Sequence, residues 1–173
     1  MNFHWGQGQN LYNAIIRWKE ADGTILPPIV RPPFYAYLMF QMAVGRGSRF
    51  LQMQLSTSPG SSLKLWPLQD VRTGAIRVVI INKHPTSHGR VTVQLDQAGY
   101  RNARLIRMKA PSLESLGGVT LGNMSYPFPA GGPPKGRPTA EMLYKQAVPN
   151  QGRVQYTVYA PAGSAALLII PKA

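Results

Sequence analysis

The chain has 173 residues, with 19 Lys and Arg against 6 Asp and Glu and no cysteine. That length can bury a core in one domain plus an appendage, and the missing cysteines exclude a disulfide framework and any thiolate site. A net charge of +13 attracts polyanions such as nucleic acid, anionic lipid or acidic glycan, but the arginines are scattered rather than clustered and read as a solvated basic surface.

Met1 to Gly8 reads as the end of a strand passing into a loop loosened by Gly6 and Gly8. Ile15, Ile16 and then Thr24 to Val30 flank Asp22-Gly23, a hairpin signal. Pro32 and Pro33 open a helix in which Tyr35, Leu38, Met39 and Met42 share one face, and Gly45 stops it. Phe34, Tyr37 and Phe40 widen the apolar surface of that helix. From there on the period is 2. Leu51, Met53 and Leu55 predict a strand, and LKLWPLQ predicts an edge strand because Pro67 lacks an N–H. Trp66, beside Pro67, reads as packing.

Residues 75–95 predict a central hairpin in which Val78 to Ile81 are buried on both faces and Val91, Val93 and Leu95 point inward. Strands follow at 103–109 and 118–121. Residues 122–149 form a long, proline-rich loop of the kind that is functional or disordered, with a short helix expected near 139–146. Val154, Tyr156 and Val158 alternate, and 165–170 is a continuous buried run. The pattern is all-β, an antiparallel sandwich of about eight strands with a strand-loop-helix appendage at the N-terminus. The expected division is 1–47 and 48–173.

Candidate chemistry is sparse. The acids are Glu20, Asp22, Asp70, Asp96, Glu114 and Glu141; Asp22 and Asp70 suit turns, and no two are spaced to act across a glycosidic bond. His4, His84 and His88 offer no metal-ligand pattern, since His84 and His88 lie in a proline-containing loop. Tyr156 and Tyr159 fall on opposite faces of one strand, so they form no stacking platform for nucleic acid. The chain is read as having no catalytic residue, metal or cofactor. It shows no apolar run of the roughly 20 residues that span a bilayer, and no basic-then-apolar leader.

The segments NFHWGQGQNLY (2–12) and LPPIVRPPFYAYLMFQMAVGRGSRFLQ (26–52) resemble the end of the barrel in family 79 glycoside hydrolases, the heparanase-like β-glucuronidases. AIRVVIINK (75–83), APSLESLGGVTLGN (110–123) and VQYTVYAPAGSAALLII (154–170) resemble successive parts of that family's sandwich. The resemblance implies a C-terminal β-sandwich carrying the last strand and helix of a (β/α)8 barrel, with the catalytic glutamates upstream of these residues. It also implies a sugar-carboxylate pocket drawing on Gly6, Gly8 and Tyr12, and a secreted or periplasmic setting. A barrel helix without its barrel is expected to leave Tyr35, Leu38, Met39 and Met42 bare, favouring self-association or a separate barrel as partner. The alternatives are a free-standing module for acidic glycans, using the basic surface and the 122–149 loop, and a basic nucleic-acid-binding protein.

Overall fold

The computed structural model describes residues 13–17, 19–58 and 61–173. Among these, the first half carries β1 (Ile15–Ile16), β2 (Ile29–Val30), helix α1 (Pro32–Val44), β3 (Ser48–Phe50), β4 (Leu63–Asp70), β5 (Ile76–Asn82) and β6 (Gly89–Leu95). The second carries β7 (Ala103–Lys109), β8 (Thr120–Leu121), β9 (Met124–Ser125), β10 (Glu141–Leu143), β11 (Gln146–Val148), β12 (Arg153–Ala160) and β13 (Ser164–Ile170). Among the described residues the structure is all-β apart from α1. Beyond the long strands that periodicity predicts, the others are two- or three-residue strands, too short to show a period. The chain forms two compact units that do not follow a single cut in sequence: the described residues to Met39 join Met108–Thr139, and Phe40–Arg107 joins Ala140–Ala173.

The second unit is the sandwich. One sheet runs β3-β4-β5-β13-β7 with β10 on β7, and the other runs β11-β12-β6. Ile76, Val78 and Ile80 from β5, Leu105 from β7 and Leu168 and Ile170 from β13 meet Val91 of β6 and Val154, Tyr156 and Val158 of β12 in one core. Alternation along each strand places these side chains on one face. Val93 and Leu95 pack on that core half-buried. Tyr156 is fully buried, and its hydroxyl donates to Arg101 O at 2.7 Å, so the ring adds apolar area without an orphaned O–H. The other face of the large sheet is apolar too, with Leu68, Val79, Ile106 and Leu167 buried. Val78 to Ile80 are therefore buried on both faces as predicted, and Ile81 is half-buried.

The predicted hairpin at 75–95 does not form. Both strands exist, but β5 pairs with β4 and β13, whereas β6 pairs with β12. Residues 83–88 cross from one sheet to the other, as do residues 161–163 between β12 and β13. Buried Asn82 ties the two crossings together. Its amide donates to Ser87 O (2.8 Å), Ala160 O (3.3 Å) and Pro161 O (3.0 Å), and its Oδ1 accepts from His84 N (3.1 Å). Gly163 N donates to His84 O at 2.8 Å. A two-residue turn would have closed a hairpin; this polar six-residue span reaches across the core instead.

Three further expectations change. The alternation at 51–55 is not a strand: β3 stops at Phe50, and Met53 and Leu55 are exposed. Leu51 N donates to Pro67 O (3.0 Å), but Pro67 has no N–H to return, so the ladder ends there. The helix expected near 139–146 is two strands. β10 pairs with β7 (Glu141 opposite Leu105), and Arg107 Nε donates to Glu141 Oε1 at 2.9 Å, so the open edge of β7 captures the segment. Trp66 is exposed on β4 rather than packed.

In the first unit β1 pairs with β2, with Asp22-Gly23 in the turn as predicted; Thr24 N donates to the Asp22 carboxylate and Gly23 has φ 92°. The stretch 122–139 is held in place. Leu121 and Met124 close a two-residue turn in which Gly122 and Asn123 both have positive φ. Thr139 bonds back to Gly122 O through both N and Oγ1, and Ser125 and Lys135 exchange backbone bonds. Tyr35, at the start of α1, is buried; its hydroxyl accepts from Tyr126 N at 2.7 Å and the rings meet edge to face. That seat corrects the expected bare face of the helix: Tyr35 and Met39 are buried and Leu38 and Met42 half-buried, while Tyr37 and Phe40, at i and i+3, are exposed.

Ile80→Ala should lower stability by about 2–5 kcal/mol, the usual cost of truncating a buried isoleucine, and an unchanged denaturation midpoint would remove Ile80 from the core. Asn82→Ala should cost about 1–3 kcal/mol and speed hydrogen exchange at the Gly163 amide, which the 83–88 crossing holds.

Candidate functional site

The residues that the resemblance implies for a sugar pocket, Gly6, Gly8 and Tyr12, lie outside the described residues. The six acids are all described. Asp96 pairs with Arg153 at 2.9 Å and Glu141 with Arg107, both near the surface; Glu20 and Glu114 are exposed, and Asp22 serves its turn. His84 Nδ1 accepts from Thr86 N and Ser87 N, which makes it a loop brace, and exposed His88 lies 5.8 Å from the Tyr159 ring. Tyr156 and Tyr159 take opposite faces as predicted, one buried and one exposed.

Asp70 is the buried acid, and a cleft is built beside it. Asp70 ends β4, and its Oδ1 accepts from Arg72 N (3.0 Å) and Thr73 N (2.9 Å), closing a turn as its residue type predicts. Oδ2 accepts from Arg77 Nη2 at 2.7 Å. Arg77 Nη1 in turn donates to Ala43 O, in the last turn of α1, at 3.3 Å. Gly45 ends α1 with φ 60°, and a Cβ there would lie 2.5 Å from Arg77 Nη1. The guanidinium thus stands where the carbonyls of the last helical turn are unpaired, a favourable place for a cation. The backbone bond from Thr73, the strongest of several and joined by the Arg77 charge, holds the Asp70 carboxyl below its ordinary range despite burial.

Arg49, Gln69, the 70–74 turn and Lys172 line a cleft of about 440 Å³ next to this carboxylate. Arg49 is aimed by Gln69, whose Oε1 accepts from both Nε (3.1 Å) and Nη2 (2.8 Å). Lys172 lies along Gly74: a Cβ on that residue, which has φ +69°, would come within 2.8 Å of Lys172 Cδ. Arg72 and Lys172 form no salt bridge among the described residues. Sequence reasoning assigned Asp70 to a turn and missed the cleft. Its cations come from β3, the turn after β4 and the segment after β13, and the only common signal was an excess of positive charge.

Asp70→Asn should cost about 3 kcal/mol at neutral pH, because it leaves Arg77 without its counter-charge. The folded carboxyl is held below its ordinary range, so its contribution is present above the unfolded carboxyl's titration and is lost as pH falls through the lowered folded one. The difference between wild type and Asp70→Asn should therefore shrink only below about pH 4, and a gap that is constant from neutral to strongly acid pH would contradict the pairing.

No protein-family model matches the chain, and no curated protein matches it. Among solved structures, the protein is similar to the GH51 arabinofuranosidase from Xanthomonas axonopodis pv. citri, with a TM-score of 0.54 and 11% identity. That likeness covers 91% of this chain and 28% of the other, so the chain spans little more than a quarter of the enzyme's length. CelM2, a bifunctional glucanase-xylanase protein from a metagenome library, gives a TM-score of 0.37 and 18% identity over 64% of this chain and 16% of that one, too low to carry an argument. The chain shares its fold with part of a glycoside hydrolase.

Proposed function

We propose that the chain is a non-catalytic accessory region of a glycoside hydrolase, of the β-glucuronidase and heparanase-like family 79, which supports a (β/α)8 catalytic barrel. The observation that carries this reading is the backbone likeness of 91% of the chain to 28% of a larger glycoside hydrolase. At 11% identity that likeness speaks for fold, and the order of the resembling segments from 2–12 to 154–170 supplies the family. The use of Asp70, Asp96 and Glu141 in ion pairs agrees with a supporting role rather than a catalytic one.

Purified chain assayed on aryl β-glucuronides should match buffer. Turnover that vanishes on mutating Glu114 or Glu141 would refute a supporting role. Exposed Tyr37 and Phe40 on α1 give the surface for a barrel or a second copy, since apolar burial is worth about 25 cal/mol per Å². The +13 charge opposes association until salt screens it. Light scattering should then show association growing with ionic strength and falling in Tyr37→Ser/Phe40→Ser. A monomer at low and high salt would remove this docking surface.

A further inference from the structure

The cleft beside Asp70 offers a ligand hydrogen-bond donors, while each of its side-chain acceptors already takes at least one hydrogen bond. Both Asp70 oxygens are engaged, by the Arg72 and Thr73 amides and by Arg77. Gln69 Oε1 accepts twice from Arg49, and Thr73 Oγ1 accepts from Ala75 N at 3.3 Å. What remains is Arg49 Nη1, the Arg72 guanidinium, the Lys172 ammonium, the Thr73 O–H and the Gln69 amide N–H groups. Asp70 does not neutralise this set, because Arg77 balances it at 2.7 Å. The cleft is therefore positive and donor-rich, and it has a concave wall fixed by the 70–74 turn.

We propose that the cleft binds an oxyanion that carries no proton, sulfate or a sulfate monoester. A sugar hydroxyl must donate as well as accept, and here its hydrogen would compete for side-chain oxygens that already take hydrogen bonds, which costs affinity. A phosphate monoester below its second ionisation carries an O–H with the same difficulty. Three cations on separate segments match the three oxygens of a sulfate monoester better than the two of a carboxylate, and the Nε–Nη2 edge of Arg49 that would grip a carboxylate in fork fashion is taken by Gln69. The cleft lining contains no aromatic side chain, so it lacks the stacking platform that single-stranded nucleic acid uses. This site does not depend on the accessory role and stands or falls separately from it.

The test uses the full chain, titrated at about pH 5 with methyl sulfate and methyl phosphate and followed by the amide signals of residues 70–74. At that pH both esters carry one negative charge and differ by one proton. Methyl sulfate should bind about tenfold more tightly, inorganic sulfate should compete with it, and a neutral methyl glycoside should not bind. Arg72→Gln and Lys172→Gln should each weaken methyl sulfate about tenfold, while Lys83→Gln, at the 83–88 crossing, should leave it unchanged. Equal affinity for the two esters, tighter binding of acetate than of methyl sulfate, or equal losses in Lys83→Gln and Lys172→Gln would each overturn the proposal. Competition by sulfate and methyl sulfate alike would point to the free ion as a sufficient ligand, and binding of the ester alone would assign the site to an esterified one; either supports it.

Discussion

The sandwich depends on two crossings that run side by side and on the one amide that joins them. β5 and β6 leave each other for opposite sheets, and β12 and β13 do the same, so each sheet receives one strand from each pair. Carrying chain across the end of an apolar core exposes backbone carbonyls that no ladder can satisfy. The Asn82 amide meets Ser87 O from one crossing and Ala160 O and Pro161 O from the other. A buried amide with its donors used and its oxygen bonded to His84 N specifies one arrangement of the two crossings. Register then follows along both sheets, with Val79 opposite Leu167 and Tyr156 opposite Val93.

At the other end of β5 the organising group is ionic. Arg77 joins the Asp70 turn to the last turn of α1, so one guanidinium satisfies a carboxylate and a helix carbonyl together. The same arrangement shapes the cleft. By consuming the negative charge of Asp70 internally, Arg77 leaves Arg49, Arg72 and Lys172 to set the local field. A structural ion pair and an anion-seeking surface are thus two faces of one turn, and the affinity of the second rests on the rigidity of the first.

The structural likeness and the sequence resemblance are independent supports of unequal kind. Backbone similarity at 11% identity reports the arrangement of strands, which many unrelated functions share. The segments that resemble family 79 hydrolases report side chains, yet the residues that the resemblance implies for a sugar pocket, Gly6, Gly8 and Tyr12, lie outside the described residues. The positive cleft belongs to neither comparison and comes from the geometry of the turn itself.

By itself the sequence determined the local elements. Alternation in Val154, Tyr156 and Val158 is enough to make a half-buried strand, because side-chain direction reverses at each residue. Pro32 and Gly45 bound the helix through φ restrictions that are properties of single residues, and Asp70 to Gly74 closes through bonds two to four residues long. Only the tertiary structure decided which strands are partners. Residues 75–95 carry the same alternation whether β5 and β6 pair or part, and the choice falls to β13 and β12, far along the chain, which pair with them instead. The 139–146 segment became strand rather than helix for the same reason, since the free edge of β7 outweighs weak local preference. Arg49, Arg72 and Lys172 are unremarkable cations in sequence; folding brings them to one cleft, and charge acts through space rather than along the chain.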